Sequence, residues 1–370
     1  MAHLSLSENR LLQTQTEKNE LDEICTHLSP AYTDNIGHTY AQNYLTPQQL
    51  KKDFEIFKGS IKQSHPGLYW YSDSATVNER FAKIEAAIDD SLSQQHFHRH
   101  LLKFYAAINC GHSWMLSAPS FDRQRNAGRF FFPVALFFDH KLTYLTKSYT
   151  GNDQLKKGEQ ITAIDGHSIS EIYDTLYKYI PSDGFITTKK DRIIARNFFF
   201  YYQQYFGLNE KLLITVNDPE TGKSREEVVE GISKQAYSEL LEKNRKDTNA
   251  DLLSFRIEDD QTGILTIKTF SRSWIRNRKE KNFKKFLAKT FREIREKNVN
   301  KLVLDLRNNG GGSDSFGALL TNYLIPLRYG YFDKMELTSK KFSYLDYSDT
   351  KHLKLIAMII GKSKDRPGVY

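Results

Sequence analysis

The stretch that decides the fold reads Leu302-Val303-Leu304-Asp305-Leu306-Arg307-Asn308-Asn309-Gly310-Gly311-Gly312. Its first five residues form a nearly continuous apolar run, which is typical of a strand covered on both faces of a sheet. The asparagines and glycines then turn the chain into a segment whose apolar residues recur at helical spacing, namely Phe316, Leu319, Leu320 and Tyr323. The stretch therefore predicts a buried strand, a tight turn and a helix in succession.

The sequence just upstream completes a strand–helix–strand unit. Ile264–Ile267 is strand-like, and a helical stripe follows at Phe283, Phe286, Leu287, Thr290, Phe291 and Ile294. Such a unit pairs its strands in parallel through a right-handed crossover. We therefore predict that residues 232–370 form an α/β domain. The glycine turn should then lie at the carboxyl edge of its sheet, where proteins of this class bind ligands.

The glycine turn is the first candidate for a functional site. Consecutive glycines adopt backbone angles that other residues avoid, and their N–H groups can stabilise an anion or a developing oxyanion. Two phosphate-binding motifs are excluded by spacing: the glycines are contiguous, unlike G-x-G-x-x-G, and no Gly-Lys-Ser/Thr follows them. A small-molecule or nucleotide binder therefore ranks last among the functional hypotheses. A tight turn without any function is the structural alternative.

Two further regions precede the α/β domain. Residues 46–128 predict a helical cap domain, because Thr46-Pro47-Gln48-Gln49 and Thr76 with Glu79 are capping-box patterns, and a third helical stripe ends before Gly111. Residues 129–231 predict a mostly-β domain with one or two short helices, including a buried strand over Phe130–Phe138 and a hairpin around residues 218–222. Residues 1–45 are polar and are interpreted as a leader or arm. The whole chain is thus expected to be multidomain, of mixed α/β and α+β class.

Composition limits the classes of partner. The net charge is +8 over 370 residues, and the densest basic cluster, residues 272–281, could grip phosphate beside Trp274 but is interpreted as a solvated loop and helix start. No nucleic-acid-binding motif accompanies it, so no nucleic-acid partner is expected. Cys25 and Cys110 have no metal or redox spacing, and neither a metal nor a cofactor is implied. No signal peptide and no membrane-spanning stretch is evident, which leaves the compartment open.

The sequence resembles the tail-specific (C-terminal-processing) serine peptidases. Leu304–Gly312 is similar to the Asp-Leu-Arg-Asn-Asn-x-Gly-Gly core of their catalytic domain. Ser64–Tyr69 and Ile108–Ser113 are similar to two markers of the tricorn-like branch, and Leu155–Gly166 resembles part of a PDZ-like module. The order of these motifs matches the family's architecture of helical cap, PDZ-like domain and catalytic α/β domain over residues 46–370. The family is often extracytoplasmic.

This resemblance implies a function and roles for individual residues. The family hydrolyses peptide bonds through an acyl-enzyme, so a peptide or protein substrate is expected, presented by the PDZ-like domain. An N–H of Gly311 or Gly312 would hold the oxyanion, and His112 would act as the base. The other branch of the family uses a serine–lysine dyad, in which His112 would have no catalytic part. His65, Asp305 and Arg307 are expected to be structural.

The nucleophile is the one part of the family pattern that the sequence lacks. Between Ser313 and Tyr370 no serine lies in a turn of small residues like the one that carries it in the family. Arg366–Tyr370 resembles the entry to the strand that precedes that turn. We therefore expect an incomplete chain that is inactive as it stands. The alternative is a non-catalytic peptide-binding or regulatory protein on the same scaffold, for which Tyr370 would be the true terminus.

Overall fold

A computed structural model describes residues 44–139, 141–149, 155–243, 251–258, 261–277, 282–327, 329–331, 343–344 and 347. In chain order its strands are β1 (Tyr44–Leu45), β2 (Leu92–Ser93), β3 (Val134–Asp139), β4 (Leu142–Ser148), β5 (Gln160–Ile164), β6 (His167–Ser168), β7 (Lys211–Asn217), β8 (Ser224–Glu230), β9 (Leu253–Ile257), β10 (Thr262–Ile267) and β11 (Lys301–Asp305). Its helices are α1 (Pro47–Ser64), α2 (Ser74–Ala87), α3 (Gln94–Ala107), α4 (Pro119–Ala127), α5 (Ile169–Tyr177), α6 (Thr188–Phe206), α7 (Lys234–Lys243), α8 (Arg272–Arg276), α9 (Phe283–Glu296) and α10 (Asp314–Leu324).

The N-terminal helices largely follow the sequence prediction. Helix α1 starts with the capping box between Thr46 and Gln49 and ends at His65, as expected. The predicted cap of α2 at Thr76 is wrong, because the Asp73 carboxylate accepts the Thr76 N–H at 2.7 Å and starts the helix earlier. Helix α4 was not predicted. The core of this region consists mainly of Leu50, Phe54, Val77, Phe81, Ile84, Ile88, Phe97, Leu101 and Phe104.

The middle region is built on one antiparallel sheet. Its strand order is β3-β4-β5-β7-β8, with β6 paired to β5. The predicted hairpin is confirmed: β7 and β8 pair from Lys211↔Glu230 to Asn217↔Ser224. The turn predicted after β5 is also present, and Asp165 and Gly166 adopt φ angles of 49° and 81° there. The strand predicted over Phe130–Phe138 is shorter than expected and begins only at Val134.

The prediction of only one or two short helices in this region is wrong. Helix α6 has 19 residues and carries the run from Phe198 to Tyr202, whose aromatic composition is typical of strands. Its buried side chains nevertheless follow helical spacing at Ile194, Phe198, Tyr202 and Tyr205. These side chains pack with the inner face of the sheet in one core, so burial against the sheet overrides the local β preference.

The C-terminal region contains the predicted strand–helix–strand unit. Strands β10 and β11 pair in parallel from Thr262↔Lys301 to Thr266↔Asp305, and α9 connects them. Strand β9 adds to the other edge of β10 in antiparallel orientation. The expectation that β11 is covered on both faces is wrong within the described residues. On one face of β11, Leu302 and Leu304 pack against the core, whereas Val303 on the other face is 48 % exposed. Among the described strands, β11 pairs only with β10, so one of its edges is also open.

The buried side chains form three cores, each made mainly by one of these regions, and Leu102 of α3 belongs to the core of the antiparallel sheet. Met115 packs against both the core of the helical region and the core of the antiparallel sheet, and so links these two regions. The domain boundaries at residues 45/46, 128/129 and 231/232 remain predictions. In the described part of the chain, every helix is too short or too polar to cross a bilayer.

Removing a buried side chain should show whether the C-terminal core is an independent unit. Leu287 on α9 is fully buried in that core. Leu287→Ala should lower the free energy of unfolding of this unit by about 2–5 kcal/mol. Hydrogen exchange should therefore become faster in β10 and β11 and stay unchanged in β3–β8. Lys284→Ala, on the exposed side of the same helix, is the control, and faster exchange throughout the chain would contradict a separate core.

Candidate active site

The loop between β11 and α10 is tied to β10 by an asparagine. The Asn309 N–H donates to the Leu306 carbonyl at 3.0 Å, and its side-chain Nδ2 donates to the Ile267 carbonyl at 2.9 Å. Asn308 adopts a φ of 66°, which asparagine tolerates better than most residues. Asn309 thus holds the start of the glycine turn against the end of β10.

The main chain of Phe270 fixes the second half of the loop. Its N–H donates to the Gly311 carbonyl and its carbonyl accepts from the Ser313 N–H, both at 2.9 Å. The Gly311 N–H donates to Asn309 Oδ1 at 2.7 Å and is therefore occupied. The Gly312 N–H has no acceptor among the described residues. Of the two glycines named from the sequence, Gly312 is the one whose N–H is free to bind an anion.

Glycine is required at position 312 for steric reasons. Gly311 and Gly312 have φ angles of 91° and 147°, a range that favours glycine. A Cβ added to Gly312 would lie 2.1 Å from the Phe270 carbonyl carbon, whereas one added to Gly310 would meet nothing within 4 Å. The close approach of Phe270 therefore depends on Gly312 having no side chain.

An arginine–carboxylate pair braces the base of the loop. Arg307 Nε and Nη2 donate to the two carboxylate oxygens of Asp305 at 2.9 and 2.8 Å. These bonds, together with the Arg307 N–H, lower the pKa of Asp305 to about 2. The paired side chains satisfy each other at the end of β11, which is consistent with the structural role expected for them.

His112 lies on an exposed turn that is joined to a second loop. The imidazole is 93 % exposed, and its Nδ1 lies 4.0 Å from Asp183 Oδ1. The same carboxylate oxygen accepts the Gly111 N–H at 2.8 Å. Lys189 Nζ donates to the Gly111 carbonyl at 2.8 Å and lies 3.5 Å from Asp183 Oδ2. Asp183 and Lys189 were not identified from the sequence, because only the fold brings the loop before α6 and the first turn of α6 to Gly111.

Asp183 supplies a negative charge beside the histidine. Its pKa lies below the ordinary value of 3.8, chiefly because it accepts the Gly111 N–H, with further contributions from Lys189 and His112. The carboxylate is therefore ionised at neutral pH. The 4.0 Å between this carboxylate and His112 Nδ1 is within ion-pair distance and longer than a hydrogen bond.

A second histidine, His65, contacts the same turn from its buried side. His65 Nε2 lies 2.5 Å from Ser113 Oγ, and the Ser113 N–H donates to the Cys110 carbonyl at 3.0 Å. Burial lowers the pKa of His65, which keeps its imidazole neutral. Ser113 is only 8 % exposed, so this serine–histidine pair braces the turn and is not accessible to a substrate.

The sequence-based site residues do not meet within the described structure. A cavity of about 370 Å³ opens beside Gly312, and its lining does not include His112. No described contact joins His112 to Gly311 or Gly312. In the described ranges, no three His, Cys, Asp or Glu side chains gather as metal ligands would, and Cys110 is a free thiol, while Cys25 lies outside them.

Adding one methyl group should distinguish the two ends of the glycine turn. Gly312→Ala would force the loop away from Phe270 and impose an unfavourable φ, which should lower the free energy of unfolding by about 1–3 kcal/mol. Gly310→Ala, with an unhindered position and no positive φ, should change it by less than about 0.5 kcal/mol. Urea unfolding of both variants measures this difference, and equal effects would contradict the described loop.

Comparisons with known proteins agree with this C-terminal architecture. Residues 261–364 match the model of Peptidase family S41. A comparison with curated protein sequences found no match. A crystal structure of a serine-to-alanine mutant of CPAF is 14 % identical with a TM-score of 0.50, over 72 % of this chain and 57 % of that chain. A structure of mature CPAF complexed with lactacystin is 15 % identical with a TM-score of 0.50, over 74 % of this chain and 59 % of that one.

These structural similarities concern the fold alone, because the sequence identities are low. The chain spans less than two thirds of the length of the CPAF chains it matches. The segment that matches the family model contains β10, the glycine turn and α10. Residues 261–364 thus match peptidase family S41, the C-terminal processing peptidases, and this match confirms the resemblance drawn from the glycine turn.

Proposed function

We propose that this chain contributes to a serine peptidase that hydrolyses peptide bonds through an acyl-enzyme. The observation that carries this proposal is the glycine turn within the matched segment, where the Gly312 N–H has no acceptor among the described residues. A fixed backbone donor of this kind is what an oxyanion hole requires. The substrate class is a peptide or protein, and the reaction as proposed needs no metal or organic cofactor.

Gly312 is proposed to stabilise the oxyanion. When a nucleophile attacks the peptide carbonyl, the electron pair of the C=O bond moves onto oxygen, and the Gly312 N–H would donate to it. Phe270 and Asn309 hold the loop on both sides of this N–H, so little reorganisation is needed as charge develops. Gly311 is assigned a structural part, since its own N–H is bound to Asn309.

His112 is proposed to act as the general base, with Asp183 as a positioning residue. The imidazole would take the proton of the attacking serine hydroxyl and later give it to the leaving amine. The Asp183 carboxylate would orient the ring through Nδ1 and stabilise the imidazolium that forms. A lysine as base, as in the other branch of the family, is the alternative to His112.

The nucleophile is proposed to be a serine outside the described residues. Ser113, which has an imidazole at hydrogen-bond distance, is buried behind the His112 turn. Ser313 and Ser315 hydrogen-bond to each other at 2.8 Å beside the glycine turn, with no described histidine or lysine in contact with them. None of these serines is both accessible to a substrate and in contact with a general base.

The surface around His112 favours apolar substrate side chains. Trp114, next but one in the chain, is 70 % exposed. Phe185 is 82 % exposed, contacts Tyr71 edge-on at 5.8 Å and belongs to the loop that carries Asp183. We propose that a peptide lies across these rings, with the antiparallel domain of residues 129–231 presenting it as a PDZ-like module does.

A serine-reactive fluorophosphonate probe tests the proposed function. The coding frame of the gene, read on both sides of codons 1–370, defines the protein to be assayed. Labelling of a serine is expected, and His112→Ala should abolish it, while His167→Ala, an exposed histidine paired with Glu171, should not. Labelling that survives His112→Ala would move the base to another residue. No labelling at all would make the protein a binding protein on the same scaffold.

Removing the charge of Asp183 tests its positioning role. Asp183→Asn keeps an oxygen acceptor for the Gly111 N–H, removes the charge near His112 and ends the ion pair with Lys189. Because the variant lacks the charge proposed to orient the His112 ring and to stabilise its imidazolium, kcat/KM should fall about tenfold with little change in KM.

The pH dependence provides a second readout for the same variant. The lowered pKa of Asp183 keeps the carboxylate ionised above 3.8, so its contribution persists at neutral pH and is lost only as pH falls through that lower pKa. The loss of activity should therefore be similar from pH 6 to 8. Asp174→Asn, which breaks an exposed pair with Lys141, is the control, and an equal effect of both variants would refute the positioning role.

A further inference from the structure

The cavity beside Gly312 has the composition of an anion site. Its lining consists of Ser271, Arg272, Ser273, Arg276, Gly312 and Ser313. The lining thus contains two arginines and three serines around a volume of about 370 Å³, and among the residues that the structure describes it includes no acidic residue. Asp314 adjoins Ser313 in the chain but does not line the cavity. We propose that this cavity binds a carboxylate of the peptide substrate.

The two arginines are placed to act together. They are four residues apart on α8, a spacing that puts both side chains on one face of a helix. Ile275, between them in sequence, is 1 % exposed and anchors the helix in the C-terminal core. Arg272 is further fixed, because its Nη2 donates to Ser315 Oγ at 3.3 Å and its guanidinium lies 5.4 Å from the centre of the Phe316 ring.

The charges of these arginines are not neutralised within the described part of the chain. No ion pair there involves Arg272 or Arg276, although many of the other basic side chains have one. A guanidinium group binds carboxylates in a bidentate geometry that neither a hydroxyl nor a backbone carbonyl can match. Two residues of the basic cluster seen in the sequence thus line a cavity, while residues 278–281 of that cluster lie outside the described residues.

The cavity lies next to the proposed oxyanion site. Phe270 pairs with Gly311 and Ser313, and the next residue, Ser271, is already part of the lining. A peptide whose scissile carbonyl reaches the Gly312 N–H would therefore place a neighbouring group in the cavity. That the ligand is a peptide rests on the proposed function. The carboxylate of such a peptide has two sources, an acidic side chain near the scissile bond or the free C-terminus.

A set of four labelled peptides separates these two sources. Each has the same alanine- and phenylalanine-containing sequence with either Asp or Asn at one position, and with either a free or an amidated C-terminus. Fluorescence anisotropy measures binding to the chain. If the side chain is the ligand, replacing Asp by Asn should weaken binding about tenfold, and if the C-terminus is the ligand, amidation should do so.

Two variants connect the effect to the cavity. Arg272→Gln and Arg276→Gln should each remove the preference for the carboxylate, whereas Arg292→Gln, an exposed arginine on α9, should leave it intact. Circular dichroism must show the same helix content and melting temperature for all three. Equal binding of the four peptides, no binding of any, or a preference that persists in both cavity variants would overturn the proposal.

A single-stranded oligonucleotide and the fluorophosphonate probe complete the test. Tighter binding of the oligonucleotide than of any peptide, lost in Arg272→Gln, would assign the cavity to nucleic acid and overturn the proposal. The peptide assay needs no turnover, so its result is independent of the labelling experiment. Carboxylate-dependent binding without labelling would support the site and refute the peptidase. Labelling without carboxylate dependence would support the peptidase and refute the site.

Discussion

The main-chain pairing of Phe270 with the glycine turn is the constraint on which the C-terminal half of this structure depends. Phe270, three residues after the end of β10, forms a parallel bridge with Gly312 through hydrogen bonds to Gly311 and Ser313. This contact requires that Gly312 carry no Cβ. It sets the position of the free N–H of Gly312 and, through Ser271, the start of α8 and the wall of the arginine cavity. One backbone contact thus determines both proposed parts of the substrate site.

The histidine turn is built by the same physical means. The Gly111 N–H donates to Asp183, in the loop before α6, and its carbonyl accepts from Lys189, in the first turn of α6. These two side chains lie within ion-pair distance of each other. His65 supports the turn from its buried side. Each candidate functional group is thus carried on a short turn whose main chain is fixed by neighbours, while the group itself remains exposed. Such pre-organisation lowers the reorganisation needed when charge develops.

Local sequence signals predicted much of this fold, and tertiary packing explains where they failed. The capping box at Thr46, the hairpin after β7 and the parallel pairing of β10 with β11 were predictable because each depends on residues close in sequence or on a strong periodicity. Helix α6 was missed because its aromatic run has the composition of a strand, and only burial against the sheet selects the helix. The exposure of Val303 contradicts an apolar run that local reasoning assigns to a covered strand.

The candidate site, too, was predictable from the sequence in part and required the structure for the rest. His112 and the glycines were identified from motifs, whereas Asp183 was not, because its link to Gly111 is created by the packing of the helical region against the sheet. The choice between Gly311 and Gly312 also required the structure, since it depends on which N–H is already bound to Asn309.

Strand β11 has a consequence for how the protein behaves in solution. Within the described residues one side of this strand has no pairing partner, and the exposed Val303 and Leu306 flank its open hydrogen-bonding groups. Open strand edges with apolar side chains and no proline recruit other strands, from the same chain or from another molecule. If no further strand covers this edge, preparations of the C-terminal unit will tend to self-associate with increasing concentration. A lysine introduced at position 303 would then suppress that tendency without disturbing the buried face of the strand.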